Sequence, residues 1–197
     1  MGVNLHRTSH VLLFVLIIPT LSIGLAYVFH TIFPSPPFWV DTLTPLVGYG
    51  LIYSLFDKYI WAWPIMKGVI QVPDLRGRWE GIQRSSHQEN GVSIEYRSVL
   101  EIKQTFTSIN LCAFYQKSNS QSTIAGFAEL NCQPYLFYVY DNDPNSFKSG
   151  TMQMHKGFAK LKHLTAGNKL TGGYFNSIGN TGDVELEFKG GKLLGRF

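Results

Sequence analysis

Seven side chains in the C-terminal two-thirds of the chain are of types suited to holding a flat, polar ligand: Tyr96, Tyr138, Tyr140, Asn142, His155, Tyr174 and Asn176. Aromatic faces stack on nucleobases, and Asn, His and Tyr can read base edges. Taken one at a time each has a plainer use, since buried tyrosines often satisfy their hydroxyls locally. The catalytic alternatives find little support. There is no GxSxG elbow, no P-loop and no HExxH. His87, His155 and His163 fall in different segments, and there is no CxxC or His/Cys cluster at zinc spacing. The expectation is a binding protein without catalytic residues, metal or cofactor.

Those seven residues count together only if the elements around them bring them together. From Pro73 to Phe197 apolar and polar residues alternate in short runs, separated by clusters at Ser86–Gly91, Lys117–Gln121, Asp141–Gly150 and Gly179–Asp183. This pattern predicts about eight strands, near 75–84, 94–106, 109–116, 123–131, 135–140, 152–163, 169–178 and 184–194. Period two places Ile94, Tyr96, Ser98, Leu100, Ile102, Gln104 and Phe106 on one side of the second strand, and Glu95, Arg97, Glu101 and Lys103 on the wet side. Eight sequential antiparallel strands fit a closed up-and-down barrel, which leaves no sheet edge exposed; a β-sandwich is the alternative. With alternating strand directions, Gln83, Tyr96, Tyr140, His155, Tyr174 and Asn176 gather at one mouth. Tyr138 lies one position lower and Asn142 at a loop. Leu75, Leu100, Ile102, Leu170 and Phe188 plug the other end. Arg84, Arg97 and Lys156 fall on the outer rim, within reach of phosphates. A hairpin turn near Asn119 would set Cys112 opposite residues 126–128 and away from Cys132, so no disulfide is expected.

The first third is different. Val11 to Phe33 contains no Asp, Glu, Lys or Arg, and after Pro34–Pro37 a second apolar stretch runs from Phe38 to about Ile60. A membrane span needs roughly 20 apolar residues. The expected organisation is a two-helix transmembrane hairpin over 1–66 and a β-barrel ligand-sensing domain over 73–197. Pro19 and Pro45 are expected to kink the helices. Arg7 precedes the first span, Lys58, Lys67, Arg76 and Arg78 follow the second, and residues 31–41 hold no Lys or Arg. The positive-inside rule then puts both termini, and the barrel, in the cytoplasm. Gly48 and Gly50 offer small surfaces for helix association in lipid. From Lys67 onward 15 Lys or Arg stand against 11 Asp or Glu. That excess suits an anionic ligand or lipid headgroups and is too scattered for a DNA or RNA polymer.

Several segments together carry a family resemblance. They are PDLRGRWEG from Pro73, QTFTSINLCAFYQKSNSQS from Gln104, YVYDNDP from Tyr138, MHKGFAKLKHL from Met154 and LTGGYFNSIGNTGDVELEF from Leu170. With the preceding apolar hairpin, this order resembles the two-transmembrane β-barrel effectors of bacterial CBASS anti-phage systems. The resemblance implies a lipocalin-like barrel that binds a cyclic dinucleotide made by a neighbouring nucleotidyltransferase. It further implies homo-oligomerisation on activation and disruption of the inner-membrane lipid bilayer, ending in abortive cell death. Two other classes stay open on the residues alone: a membrane-anchored binder of a lipid or other apolar ligand, and a structural module that binds a partner through its surface.

Overall fold

The computed structural model describes residues 16–35, 37–68, 70, 72–89, 92–130, 133–144 and 154–197. They form two compact units. One comprises Pro73–Gln104 with Ser108–Phe197; the other comprises the described residues up to Val72 with Thr105–Thr107. Of the sequence expectations, residues 11–15 of the first span, Cys132, and the 145–153 part of the loop and of the sixth strand lie outside the described residues.

The larger unit is a closed barrel of eight antiparallel strands, each paired with the next in sequence and the last with the first. The strands are β1 (Gly77–Glu89), β2 (Val92–Gln104), β3 (Ile109–Phe114), β4 (Ser118–Leu130), β5 (Gln133–Pro144), β6 (His155–Leu164), β7 (Lys169–Asn176) and β8 (Thr181–Gly190). Alternation does the sorting, because successive side chains of a strand point to opposite faces. Trp79 pairs with Leu100, Leu100 with Ala113, Leu136 with Leu161, and Leu170 with Leu186. These residues and Leu75, Ile102 and Leu111 fill the lower lumen and are almost wholly buried. The Trp79 indole N–H donates to the Leu75 carbonyl at 2.9 Å. Gln104 ties the entry segment to the end of β2: its Oε1 accepts the Leu75 N–H and its amide donates to the Pro73 carbonyl, both at 2.9 Å.

Three details differ from the sequence expectation. β4 begins at Ser118, with the Tyr115 N–H donating to the Ser118 carbonyl, so most of the Lys117–Gln121 cluster is strand and Cys112 pairs with Gln121, not with residues 126–128. Cys112 is a free thiol. β5 runs on to Pro144, which turns Asn142 from a loop residue into a buried, inward one. Glu101 does point to the outer face, yet it is only 3% exposed. Residues 191–197, of which 191–194 were expected to end the last strand, cross that face: the Leu194 N–H reaches the Glu101 carboxylate at 2.7 Å and the Gly195 N–H at 3.1 Å. Arg78 donates through Nη1 to Glu101 at 2.9 Å and to the Arg196 carbonyl at 2.8 Å.

The smaller unit pairs α1 (Ile18–Ile32) with α2 (Phe38–Lys58). Small residues make the seam. Ser22 and Ala26 are buried, and a Cβ at Gly48 would sit 3.4 Å from Leu25 and 3.6 Å from Ser22. Gly48 is therefore spent inside the hairpin, while Gly50 has nothing within 4 Å. The hydroxyls of Thr20, Ser22, Thr31 and Thr44 return to carbonyls of their own helix. Pro19 stands in the first turn of α1 and Pro45 lies inside α2. Phe106, expected on the inward face of the second strand, instead packs in this unit with Phe56, Trp61 and Ile70, and Asp57 accepts both the N–H and the hydroxyl of Thr107. Among the described residues no helix is long and apolar enough to cross a membrane.

Candidate ligand-binding lumen

Above the apolar plug the inward positions change character. Tyr138 and Tyr140 of β5 and Tyr174 of β7 are each 8% exposed, and the first two rings lie 5.9 Å apart. A fourth tyrosine joins them. Tyr115, one residue past β3, donates its hydroxyl to Gln83 Oε1 at 2.9 Å. Opposite, the Ser120 hydroxyl donates to Asn142 Oδ1 at 2.7 Å across the β4–β5 pair. Ser98 and Ser118 are buried at the same inward parity.

The four phenols act on one another. Burial pushes Tyr115 up to about 12, against a hydrogen bond with Ser98 and with help from Tyr174. Burial likewise lifts Tyr138 well above the usual phenol value, with Tyr115 and Tyr140 adding to it. Tyr140 is raised by burial and by Tyr115 and Tyr174. The four side chains pack in one cluster. Tyr115, Tyr138 and Tyr140 therefore stay neutral at physiological pH, each able both to donate and to accept. Among the described residues no Lys, Arg, Asp or Glu occupies an inward position beside the cluster.

Two glycines make room for the rings. A Cβ on Gly157 would run into the Tyr140 ring across the β5–β6 pair, and one on Gly182 would meet Tyr174 and the Arg84 carbonyl.

Of the seven residues singled out from the sequence, Tyr138, Tyr140, Asn142 and Tyr174 come together in the lumen. Tyr96 is 38% exposed and pairs with Gln83; His155 is half-buried and pairs with Asn142. Asn176 is also half-buried, and its Oδ1 accepts the Asn180 N–H at 2.9 Å, which engages it in the β7–β8 turn. These three line the rim rather than the cluster. Each rim cation has a carboxylate neighbour, Arg84 with Glu95, Arg97 with Glu80 and Lys156 with Asp141, and all three side chains remain exposed. The sequence reading missed Tyr115, Ser118 and Ser120. Tyr115 shares the parity of Leu111 and Ala113 and was within reach of the same argument; the two serines were hidden in a polar run that reads as a turn. Among the described residues no group of His, Cys, Asp and Glu is placed to hold a metal ion.

A small closed barrel with one end packed and the other lined by hydroxyls and aromatic faces is of the class of eight-stranded barrels that can hold one small ligand. Residues 70–188 match the profile of the family described as Cap15, cyclic dinucleotide receptor domain, and the chain belongs to that family of CBASS effectors. It is 25% identical over 150 residues to CD-NTase-associated protein 15 of Staphylococcus schleiferi, covering 76% of this chain and 80% of that protein. It is 29% identical over 129 residues to the protein of the same description from Yersinia aleksiciae, covering 65% and 60%.

Proposed function

We propose that the barrel binds a cyclic dinucleotide at the phenol cluster and that binding drives homo-oligomerisation of the hairpin and disruption of the bacterial inner membrane. The observation that carries this reading is the packing of the Tyr115, Tyr138, Tyr140 and Tyr174 side chains in one inward cluster, with the Ser120–Asn142 pair at the same parity, in a chain of the cyclic dinucleotide receptor family. Aromatic faces supply stacking and the amide and hydroxyls supply base-edge hydrogen bonds. The filled lower lumen and polar upper lumen favour this ligand over a lipid-like one.

Support for the membrane part comes from the hairpin surface. Leu21, Ile23, Leu25, Val28 and Ile32 on α1, and Leu46, Val47, Leu51 and Leu55 on α2, are all exposed. Hydroxyls returned to their own helix suit a medium without water. On this reading the hairpin crosses the inner membrane and both termini are cytoplasmic. Ser35→Cys, with Cys112 and Cys132 replaced by Ser, is then labelled from the periplasm; labelling only after access from the cytoplasmic side rejects the topology.

The function is tested by calorimetric titration of cyclic dinucleotides into the full-length protein in detergent, and by growth with a co-expressed nucleotide synthase. Asn142→Ala and Tyr140→Phe are expected to weaken binding by about tenfold or more, the worth of one buried hydrogen bond, and to reduce toxicity in step. Unchanged binding in both variants refutes the site, and full toxicity without any cyclic nucleotide refutes the switch.

A further inference from the structure

The outer wall of the barrel carries a feature that ligand binding in the lumen does not use. Ile124, Val139, Phe158 and Phe175 lie in register across β4, β5, β6 and β7, forming one apolar row over four strands. Ile124 is 70% exposed and Phe175 56%. Phe137 joins the row, with ring centroids 5.9 Å from Phe158, which is itself 5.4 Å from Phe175. The outward positions of β1, β2 and β8 are mostly charged, whereas this row is apolar.

The charges beside the row decide what covers it. β6 projects Lys156, Lys160 and Lys162 outward, and the Lys160 ammonium lies 4.4 Å from the Tyr135 ring centroid and 5.8 Å from that of Phe137. Lys156 has Asp141, at 3.6 Å; among the described residues no carboxylate pairs with Lys160 or Lys162. A two-fold contact with a second copy would bring these lysines against themselves. An anionic lipid surface instead takes both features at once: aliphatic lysine stems lie along the rings while the ammonium groups reach headgroup phosphates, and the rings enter the acyl boundary.

We propose that the β4–β7 outer wall is a docking face for an anionic lipid surface, an inference that rests on the reading of the chain as membrane-anchored. Each lysine beside such a surface changes local partitioning by about fivefold. The experiment uses the full-length chain, with Cys112 and Cys132 replaced by Ser, reconstituted in vesicles of phosphatidylcholine with phosphatidylglycerol or of phosphatidylcholine alone. A nitroxide is placed at Phe175→Cys, and in a separate sample at Asn110→Cys on the opposite strand β3. The expected result is that the label at 175 collides with oxygen in preference to a water-soluble nickel complex, in anionic vesicles only. The label at 110 stays open to nickel in both, and Lys160→Glu with Lys162→Glu abolishes the difference at 175. Equal nickel access at 175 and 110 overturns the proposal while leaving the anchor intact. Spin–spin broadening at 175 that disappears on dilution with unlabelled protein also overturns it and gives the face to a second copy. A chain that fails to float with either vesicle overturns anchor and face together.

Discussion

Tyr140 and Gly157 show how closely the site depends on single atoms. The ring lies where a Cβ on Gly157 would be. Gly157→Ala is therefore expected to preserve the barrel, since β6 accommodates alanine, but to push Tyr140 out of the cluster; cyclic dinucleotide affinity should fall by about tenfold or more, as for a lost hydrogen bond with its stacking partner. Titration against Gly173→Ala, where a Cβ has only a carbonyl at 3.4 Å, provides the control. The raised phenols give a second expectation. A folded-state value above the unfolded one adds stability that is complete below the unfolded value and is lost as pH rises toward the folded one. With Tyr115 moving from 10.0 to about 12, thermal stability should hold flat up to about pH 10 and decline between 10 and 12. Replacing Tyr115 by Phe should flatten that decline, as read by melting temperature against pH. A decline unchanged in the variant would mean that other groups set it.

At the scale of the element, the segment after β8 is held by buried charge. Burial works to raise the Glu101 carboxyl, but the Leu194 and Gly195 N–H groups and Arg78 outweigh it and hold the carboxyl below its ordinary value; Arg78 is correspondingly raised despite its own burial. A lowered carboxyl adds stability above the unfolded value of 4.5 that is lost as pH falls below it. Glu101→Gln removes one of the two carboxylates on Arg78, Glu80 remaining at 2.7 Å, and should cost about 2 kcal/mol, the worth of a hydrogen bond to a charged group. It should also free residues 191–197, read as faster amide exchange at Leu194 and Gly195; retained protection there would reject the account. This contact also marks a limit of sequence reading. Strand identity and facing were legible from Leu100, Leu161 or Leu186, because burial and period two coincide there. Glu101 obeys the same period but is buried by a segment that pairs with nothing in the alternation pattern, so no local signal could reveal it. Ser118 and Ser120 failed for the opposite reason: a polar lumen gives an inward face the composition of a turn. The tyrosines of β5 and β7 were legible because their apolar neighbours fix the parity.

For the whole molecule, the two helix glycines separate two roles. Gly48 faces Ser22 and Leu25 within the hairpin, so Gly48→Leu should disrupt the hairpin fold itself and lower the amount of inserted protein. Gly50 is open, so Gly50→Leu should leave insertion and ligand affinity unchanged while weakening contact between copies. Toxicity with intact insertion and binding is the readout; full toxicity of the Gly50 variant would place assembly elsewhere. The sequence showed two small residues two positions apart but not which one its own partner helix would occupy, since that depends on the crossing of α1 and α2.

The closure of the sheet sets an order of events in time. β1 is sealed by β8, the last of these eight strands to be translated, through pairs from Arg78–Gly190 to Ser85–Gly182. Tyr115, Tyr138 and Tyr140 are made early, but the wall behind Tyr174 is missing until Gly182 and Val184 have left the ribosome. The helices precede them by more than a hundred residues, on the order of ten seconds of synthesis. A nascent copy therefore has its hairpin before it has a closed barrel, and its lumen stays unwalled until β8 has been made.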